Sequence, residues 1–344
     1  MAIEEIFTEP AVEQPEPQPE GRRRRIVVLS VAITLIALLV ALTTWYLRTG
    51  KPLSQLPGLG QNGQPPHYLF SVYGVNKPLG VAVSPDGDRI YVSESTGDRV
   101  VKVFDRTGAA KGTLKPPADS GTNHAPVYIA VNPRTQDVYV SDRTTAAIYV
   151  YGRDGAYRRT FRPKGDLGAQ WAPLGVAFDS YGRLYVTDVR STGAHRLLVL
   201  TPDGALERSV GESAGLTFPN GVAVDSRGVV SVADSNNSRV LMFDRDGKPG
   251  GRLVSESGDT ALGIPRGVAV DDSNRLYVVD LANHAVRIYK IADAVTGTPQ
   301  YMASFGTEGT GDGAFEYPNG VAADSRARLY ITDRENNRLQ VWSY

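Results

Sequence analysis

Hydrophobic residues in this chain alternate with polar ones, and the alternation itself recurs. In residues 218–247, FPNGVAVDSRGVVSVADSNNSRVLMFDRDG, three apolar runs of period two follow one another: Val222 and Val224, then Val230 and Val232, then Val240, Met242 and Phe243. Runs of that length and period predict short strands. Residues 225–228, Asp-Ser-Arg-Gly, separate the first two runs, and the glycine can take the positive φ that a tight hairpin needs. Residues 234–239 form the next turn. Variants of the unit begin at Pro78, Pro126, Pro173, Pro265 and Pro318, giving six copies at a period of roughly 45 to 53 residues. A weaker fourth run precedes the next proline, as in Thr160-Phe161 and residues 206–210, 251–254 and 301–305.

Four strands per copy, six copies and no helical pattern predict an all-β fold, a six-bladed β-propeller of four-stranded blades. The last copy ends at Tyr344, straight after its third strand. Residues 68–73, YLFSVY, have the composition of the missing strand and nothing else to pair with. The N-terminal strand is therefore expected to complete the last blade and leave no open edge.

With its Pro-x-Gly-Val-Ala-x-Asp start, Leu-Tyr-Val-x-Asp second strand, Asn-x-Arg-Val third strand and closing aromatic before Asp-x-x-Gly, the unit resembles the NHL repeat, and Asn283-His284 keeps the pair in that family's name. The resemblance spans residues 67–344. It implies a propeller used mostly for binding, and implies no particular reaction.

Ahead of the repeats, residues 1–25 are rich in Glu, Pro and Gln and close on four arginines at 22–25; such a stretch cannot bury a core and reads as a disordered cytoplasmic tail. Residues 26–47 carry no charge and are long enough for the roughly 30 Å hydrocarbon layer, which favours an uncleaved transmembrane anchor over a signal peptide with its shorter apolar region. The arginines precede the span, while Arg48 and Lys51 follow it, so the positive-inside rule places the N-terminus in the cytoplasm and the propeller outside. Residues 48–66 read as a Pro/Gly linker. The chain has no cysteine, hence neither a disulfide framework nor a lipid-modified cysteine.

Lys plus Arg balance Asp plus Glu at 37 each, and no basic stripe recommends nucleic acid. A local basic cluster at residues 158–164, RRTFRPK, reads as a solvated outer strand, with an anionic glycan dock as the sharper reading. The second strands end in Glu94, Asp142, Asp188, Asp234, Asp280 and Asp333. Arg99, Arg239 and Arg338 each follow their acid by five residues, and Arg196 follows Asp188 after a longer loop, so acid and base are expected to face one another as architecture. Asp142 faces Ala147 and Asp280 faces Ala285, which leaves those two acids without that partner and makes them candidate ligand or cation anchors.

The loops beside the acids should open on one face. That face would collect Asp142, Arg143, Asn220, Arg266, Asp280, His284, Asn319 and Arg334, with Tyr128, Trp171, Phe218 and Tyr317 wedged nearby. Such a rim suits a protein, peptide or glycan partner at the cell surface. Among propeller enzymes, amidating lyases place His directly after the proline, where this chain has Leu, Val, Asn or Arg. Metal-dependent lactonases are more similar, because Asn220 and Asn319 sit in Pro-Asn-Gly turns like that family's metal-binding Asn; no early Glu ligand is present near residues 75–80. The paired His and Glu of streptogramin lyases have no counterpart. The expectation is a non-catalytic binding or scaffold module without a cofactor; a lactonase-like hydrolase or lyase, with a divalent cation in the central channel, is the alternative.

Overall fold

The computed structural model describes residues 20–49, 65–121, 123–191, 193–253, 261–291 and 297–344. Of the tail expected over 1–25 and the linker expected over 48–66, residues 1–19 and 50–64 lie outside them, whereas residues 20–25 and 48–49 are helical. Two compact units are present, Met1–Leu56 and Pro57–Tyr344. In the first, a helix α1 spans Glu20–Thr49. Its Val28–Arg48 portion is long and apolar enough to cross a membrane. Two hydroxyls on this helix bond back to its own carbonyls, Thr34 to Ser30 at 2.9 Å and Thr43 to Leu39 at 2.8 Å, which leaves neither unsatisfied in an apolar medium.

The second unit is the propeller, built of six four-stranded antiparallel sheets. The inner strands are Pro78–Val83, Pro126–Val131, Pro173–Phe178, Pro219–Val224, Pro265–Val270 and Pro318–Ala323, one for each predicted copy. The strand His67–Val72 pairs with Arg338–Ser343, joining Tyr68 to Trp342 and Val72 to Leu339. The N-terminal strand thus closes the ring, as its composition predicts. Aromatic packing seals that seam: Trp342 meets Phe305 with ring centroids 4.5 Å apart and Tyr68 edge-on at 5.8 Å.

The inner strands crowd one another around the axis. A Cβ on Gly175 would stand 2.0 Å from the Asn220 carbonyl oxygen of the next blade, and one on Gly80 would stand 2.2 Å from that of Val127. Only glycine tolerates so close an approach. A hydroxyl just before the acid of the second strand uses the same proximity. Thr187 accepts from the Gly175 N–H at 2.7 Å and donates to the Asn220 carbonyl at 2.9 Å. Ser93, Ser141 and Thr332 make the equivalent pair of bonds, to Val127, Leu174 and Leu79 of the next blade. In blade 2 the glycine position holds Tyr128, which is buried against Leu79, Leu174 and Trp171.

The close approach predicts that Gly175→Ala costs about 2 kcal/mol, since the neighbouring carbonyl is backbone and cannot turn aside. Gly311→Ala, at a site with nothing within 4 Å and no left-handed backbone, should be neutral or slightly stabilising. Equilibrium denaturation of both variants checks this, and equal stabilities would contradict the crowding account.

Candidate functional site

The six acids ending the second strands are fully buried. Each accepts a backbone N–H from the loop entering its own blade: Asn76 to Glu94 at 2.9 Å, Ala125 to Asp142 at 3.1 Å, Ala172 to Asp188 at 2.7 Å, Thr217 to Asp234 at 2.6 Å, Gly263 to Asp280 at 3.0 Å and Glu316 to Asp333 at 2.7 Å. Carboxylates held this way fix the loops that form one end of the ring. Arg196, Arg239 and Arg338 stand at 2.8, 2.6 and 2.7 Å from their acids, as register predicts.

Three partners differ from the sequence expectation. Asp142 and Asp280 are not unpaired. His124 Nδ1 lies 3.1 Å from Asp142, whose other oxygen accepts from the Thr144 and Thr145 N–H groups. Arg287, two residues beyond Ala285 and so on the same strand face, reaches Asp280 at 3.1 Å, joined by Asn283 at 2.7 Å. Blade 1 is the third case. There the Glu94 N–H bonds to the carbonyl of Val100, not of Arg99, so one extra loop residue carries Arg99 away to Asn123, and Lys102 comes within 3.7 Å instead. Burial raises the Glu94 carboxyl above its usual range, opposed by the Asn76 N–H and Lys102. His284 is also committed: its ring packs on Tyr317 at 4.7 Å, and Nδ1 lies 3.3 Å from both the Tyr317 nitrogen and the Phe315 carbonyl.

The basic cluster at 158–164 proves to be a seam between blades. Arg159 donates to the Pro202 carbonyl at 2.7 Å and to Tyr139, Arg162 to the Ala146 carbonyl at 3.0 Å, and Lys164 pairs with Asp203. Arg158 pairs with Asp154 at 3.1 Å.

The remaining predicted residues do converge. Asn220, buried at the start of its inner strand, donates to Ser235 Oγ at 2.7 Å and accepts at Oδ1 from Arg266 at 3.1 Å. Asn319 bridges to the Leu79 carbonyl at 3.0 Å. Arg266 is half-buried, and burial lowers its pKa, with the charges of Arg334 and Arg143 adding to the effect. Arg334 lies 3.5 Å from Glu335, which Lys77 binds at 2.8 Å. Tyr128 carries its hydroxyl into this group: its pKa is pushed up to about 12 by burial, opposed by the Arg266 charge and by a hydrogen bond with Asn319. Arg266 and Asn319 come from blades 5 and 6, and the place where they meet Tyr128 of blade 2 is termed the mouth. The signal in the sequence was the single break in the Pro-x-Gly column.

Beside the mouth lies a cavity of about 470 Å³ lined by Arg143, Trp171, Leu174, Arg190, His195 and Phe218. The Arg143 guanidinium sits 5.4 Å above the Phe218 ring. Three buried nitrogens here have no hydrogen-bond partner: Trp171 Nε1, His195 Nδ1 and Arg190 Nε. The geometry suits a ligand that offers acceptors and a flat face.

A divalent cation fits these residues poorly. The Asn220 oxygen that would face it already accepts from a guanidinium, and among the described residues no three His, Cys, Asp or Glu side chains converge.

The family model described as SMP-30/gluconolactonase/LRE-like region matches residues 119–305, and that of the NHL repeat matches residues 315–342. No curated protein sequence matches the chain. Similar solved structures include a gluconolactonase from Xanthomonas campestris (18% identity, 81% of this chain and 95% of that one, TM-score 0.60). A catalytically inactive virginiamycin B lyase from Staphylococcus aureus with quinupristin (13%, 79% and 84%, 0.55) and Kuenenia stuttgartiensis hydrazine synthase (14%, 79% and 97%, 0.55) are also similar. At such identities the likeness is one of fold.

The pairing around Asp280 predicts that Asp280→Asn destabilises the protein by about 3 kcal/mol, as breaking a buried ion pair does, and by as much as Asp234→Asn. Thermal melts of the two variants test this; an Asp280→Asn protein as stable as the wild type would restore the acid to the list of ligand anchors.

Proposed function

The chain belongs to the SMP-30/gluconolactonase/LRE-like family, and on that premise we propose that it is a membrane-anchored propeller that works by binding, holding a partner's exposed group at the channel mouth. One observation carries this reading: Arg266 occupies the Asn220 oxygen that a lactonase-like cation would need, while the adjoining cavity keeps three buried nitrogens unpartnered, two of them donors in any protonation state. A site built this way recognises acceptors and supplies no Lewis acid. The partner is a protein, peptide or glycan at the cell surface; helix α1 holds the chain in the lipid bilayer with its N-terminus cytoplasmic and the propeller outside. Nucleic acid is not its ligand.

A second reading, a hydrolase or lyase acting at the same mouth, is favoured by the family match over residues 119–305 and by the folds shared with a gluconolactonase and a virginiamycin B lyase. A sugar lactone or a cyclic depsipeptide would then be the substrate class.

A photo-crosslinking amino acid at Ser191, which lines the cavity, should capture surface material on intact cells. The same probe at Tyr181, exposed in another pocket, should capture none. Equal labelling from both positions argues against a site at the mouth. Turnover of lactones by the purified chain, abolished in Asn220→Ala with near-stoichiometric metal in the wild type, would replace the binding reading by the catalytic one. Protease added outside cells with an intact membrane should remove the propeller; protection until lysis would reverse the topology.

A further inference from the structure

Arg143 belongs to both halves of this face. It lines the cavity with Trp171 and Phe218, and its charge acts on Arg266 together with that of Arg334. Blades 2, 5 and 6 thus direct three guanidinium groups toward one mouth, and blade 3 adds Arg190 at the cavity wall. Their neutralisation is incomplete. Among the described residues Arg266 and Arg143 make no ion pair, and Nε of Arg266, Arg334 and Arg190 is buried with no hydrogen-bond partner. Arg190 lies 3.9 Å from Asp188, an acid already bonded to Arg196 at 2.8 Å. Arg334 shares Glu335 with Lys77.

Among the described residues, four of the six strand-end acids are closely paired with arginine. Asp188, Asp234, Asp280 and Asp333 each have an arginine within 3.1 Å. A partly buried guanidinium without a counter-charge raises the free energy of the fold. A fold that pairs these interior acids so closely and leaves a cluster of guanidinium groups open at one face has the hallmark of a site completed by ligand.

Building on the binding reading above, we infer that the mouth is an anion site. A carboxylate or phosphate of the ligand is received by Arg266, Arg334 and Arg143, and the ring that bears it lies in the cavity against Trp171 and Phe218. Guanidinium suits this role because its planar fork gives paired N–H bonds to two oxygens of one anionic group. The Tyr128 hydroxyl, which meets Arg266 and Asn319, is a further polar group at the mouth. The unpartnered Trp171 and His195 nitrogens in the cavity suit the ring oxygens of an acidic sugar.

The test uses the full chain in detergent micelles and two matched probes, 4-nitrophenyl β-D-glucuronide and the uncharged 4-nitrophenyl β-D-glucopyranoside, with inorganic phosphate as the bare anion. Calorimetry should show the glucuronide binding at least tenfold more tightly than the glucoside, with affinity falling as salt rises. Phosphate should raise the melting temperature of the wild type and not that of Arg266→Gln. Arg266→Gln and Arg334→Gln should each weaken glucuronide binding tenfold or more. Without ligand, Arg266→Gln should melt no lower than the wild type, because it relieves repulsion among the arginines. Equal affinity for the two probes, unchanged binding in both variants, or no binding of either anion would overturn the anion site while leaving a neutral partner open to the binding reading. Release of nitrophenolate by the wild type would instead sink the non-catalytic reading and leave the anion site standing.

Discussion

The closeness of the six inner strands governs the rest of the molecule. Where one blade's carbonyl sits about 2 Å from the place a neighbour's Cβ would take, as at Gly175 and Asn220, side chains are excluded and the backbone must be satisfied by something small. Glycine meets the first demand. The hydroxyl of Ser93, Ser141, Thr187 or Thr332 meets the second, accepting from its own blade and donating to the next. Each such bridge ties one blade to the next, and the strand His67–Val72 completes the last blade beside the first. The acids at the strand ends then only have to tether short loops to a rigid frame.

Departures from that scheme coincide with the candidate site. Blade 4 has Ala233 where the bridging hydroxyl stands in other blades, and Ser235, on the far side of Asp234, donates to the Pro265 carbonyl instead. The displaced hydroxyl also accepts from Asn220, and this turns the Asn220 oxygen to Arg266. Blade 5 has Val279 at the hydroxyl position and supplies that same arginine. Blade 2 replaces glycine by Tyr128, whose hydroxyl meets Arg266 and Asn319. Irregular blades 2, 4 and 5 supply Tyr128, Asn220 and Arg266, while the regular blades 3 and 6 add the cavity wall and Arg334.

Column-by-column periodicity made the architecture legible, because the propeller repeats one backbone plan and its strands follow from local alternation. Strand boundaries, blade number and the closing strand were all readable for that reason. Side-chain pairing was readable only where register alone decides it, as for Asp234 with Arg239. Arg287 escaped because it reaches its acid from two residues along the strand, and Arg99 because one extra residue in its loop shifts the register. His124 comes from the loop before the inner strand, a distance no register rule covers. The mouth was half-readable: the rim arginines could be named, but which of them meet depends on contacts between blades far apart in sequence.

Net charge conceals this division. Equal numbers of acidic and basic residues suggest an electrostatically bland surface, yet the two signs are placed by different constraints. Carboxylates gather at strand ends, where backbone N–H groups and arginines stabilise them in the dry interior. Each arginine committed there neutralises an interior acid and contributes little to the field outside. Among the described residues Arg266 and Arg143 make no ion pair and Arg334 shares Glu335 with Lys77, so on the proposed reading these are the charges left to act at the mouth of a chain that is neutral as a whole. Low-dielectric walls around a cleft concentrate such a field. On the binding reading, recognition at this end of the propeller therefore depends less on how many charges the chain carries than on which ones the fold has left incompletely paired.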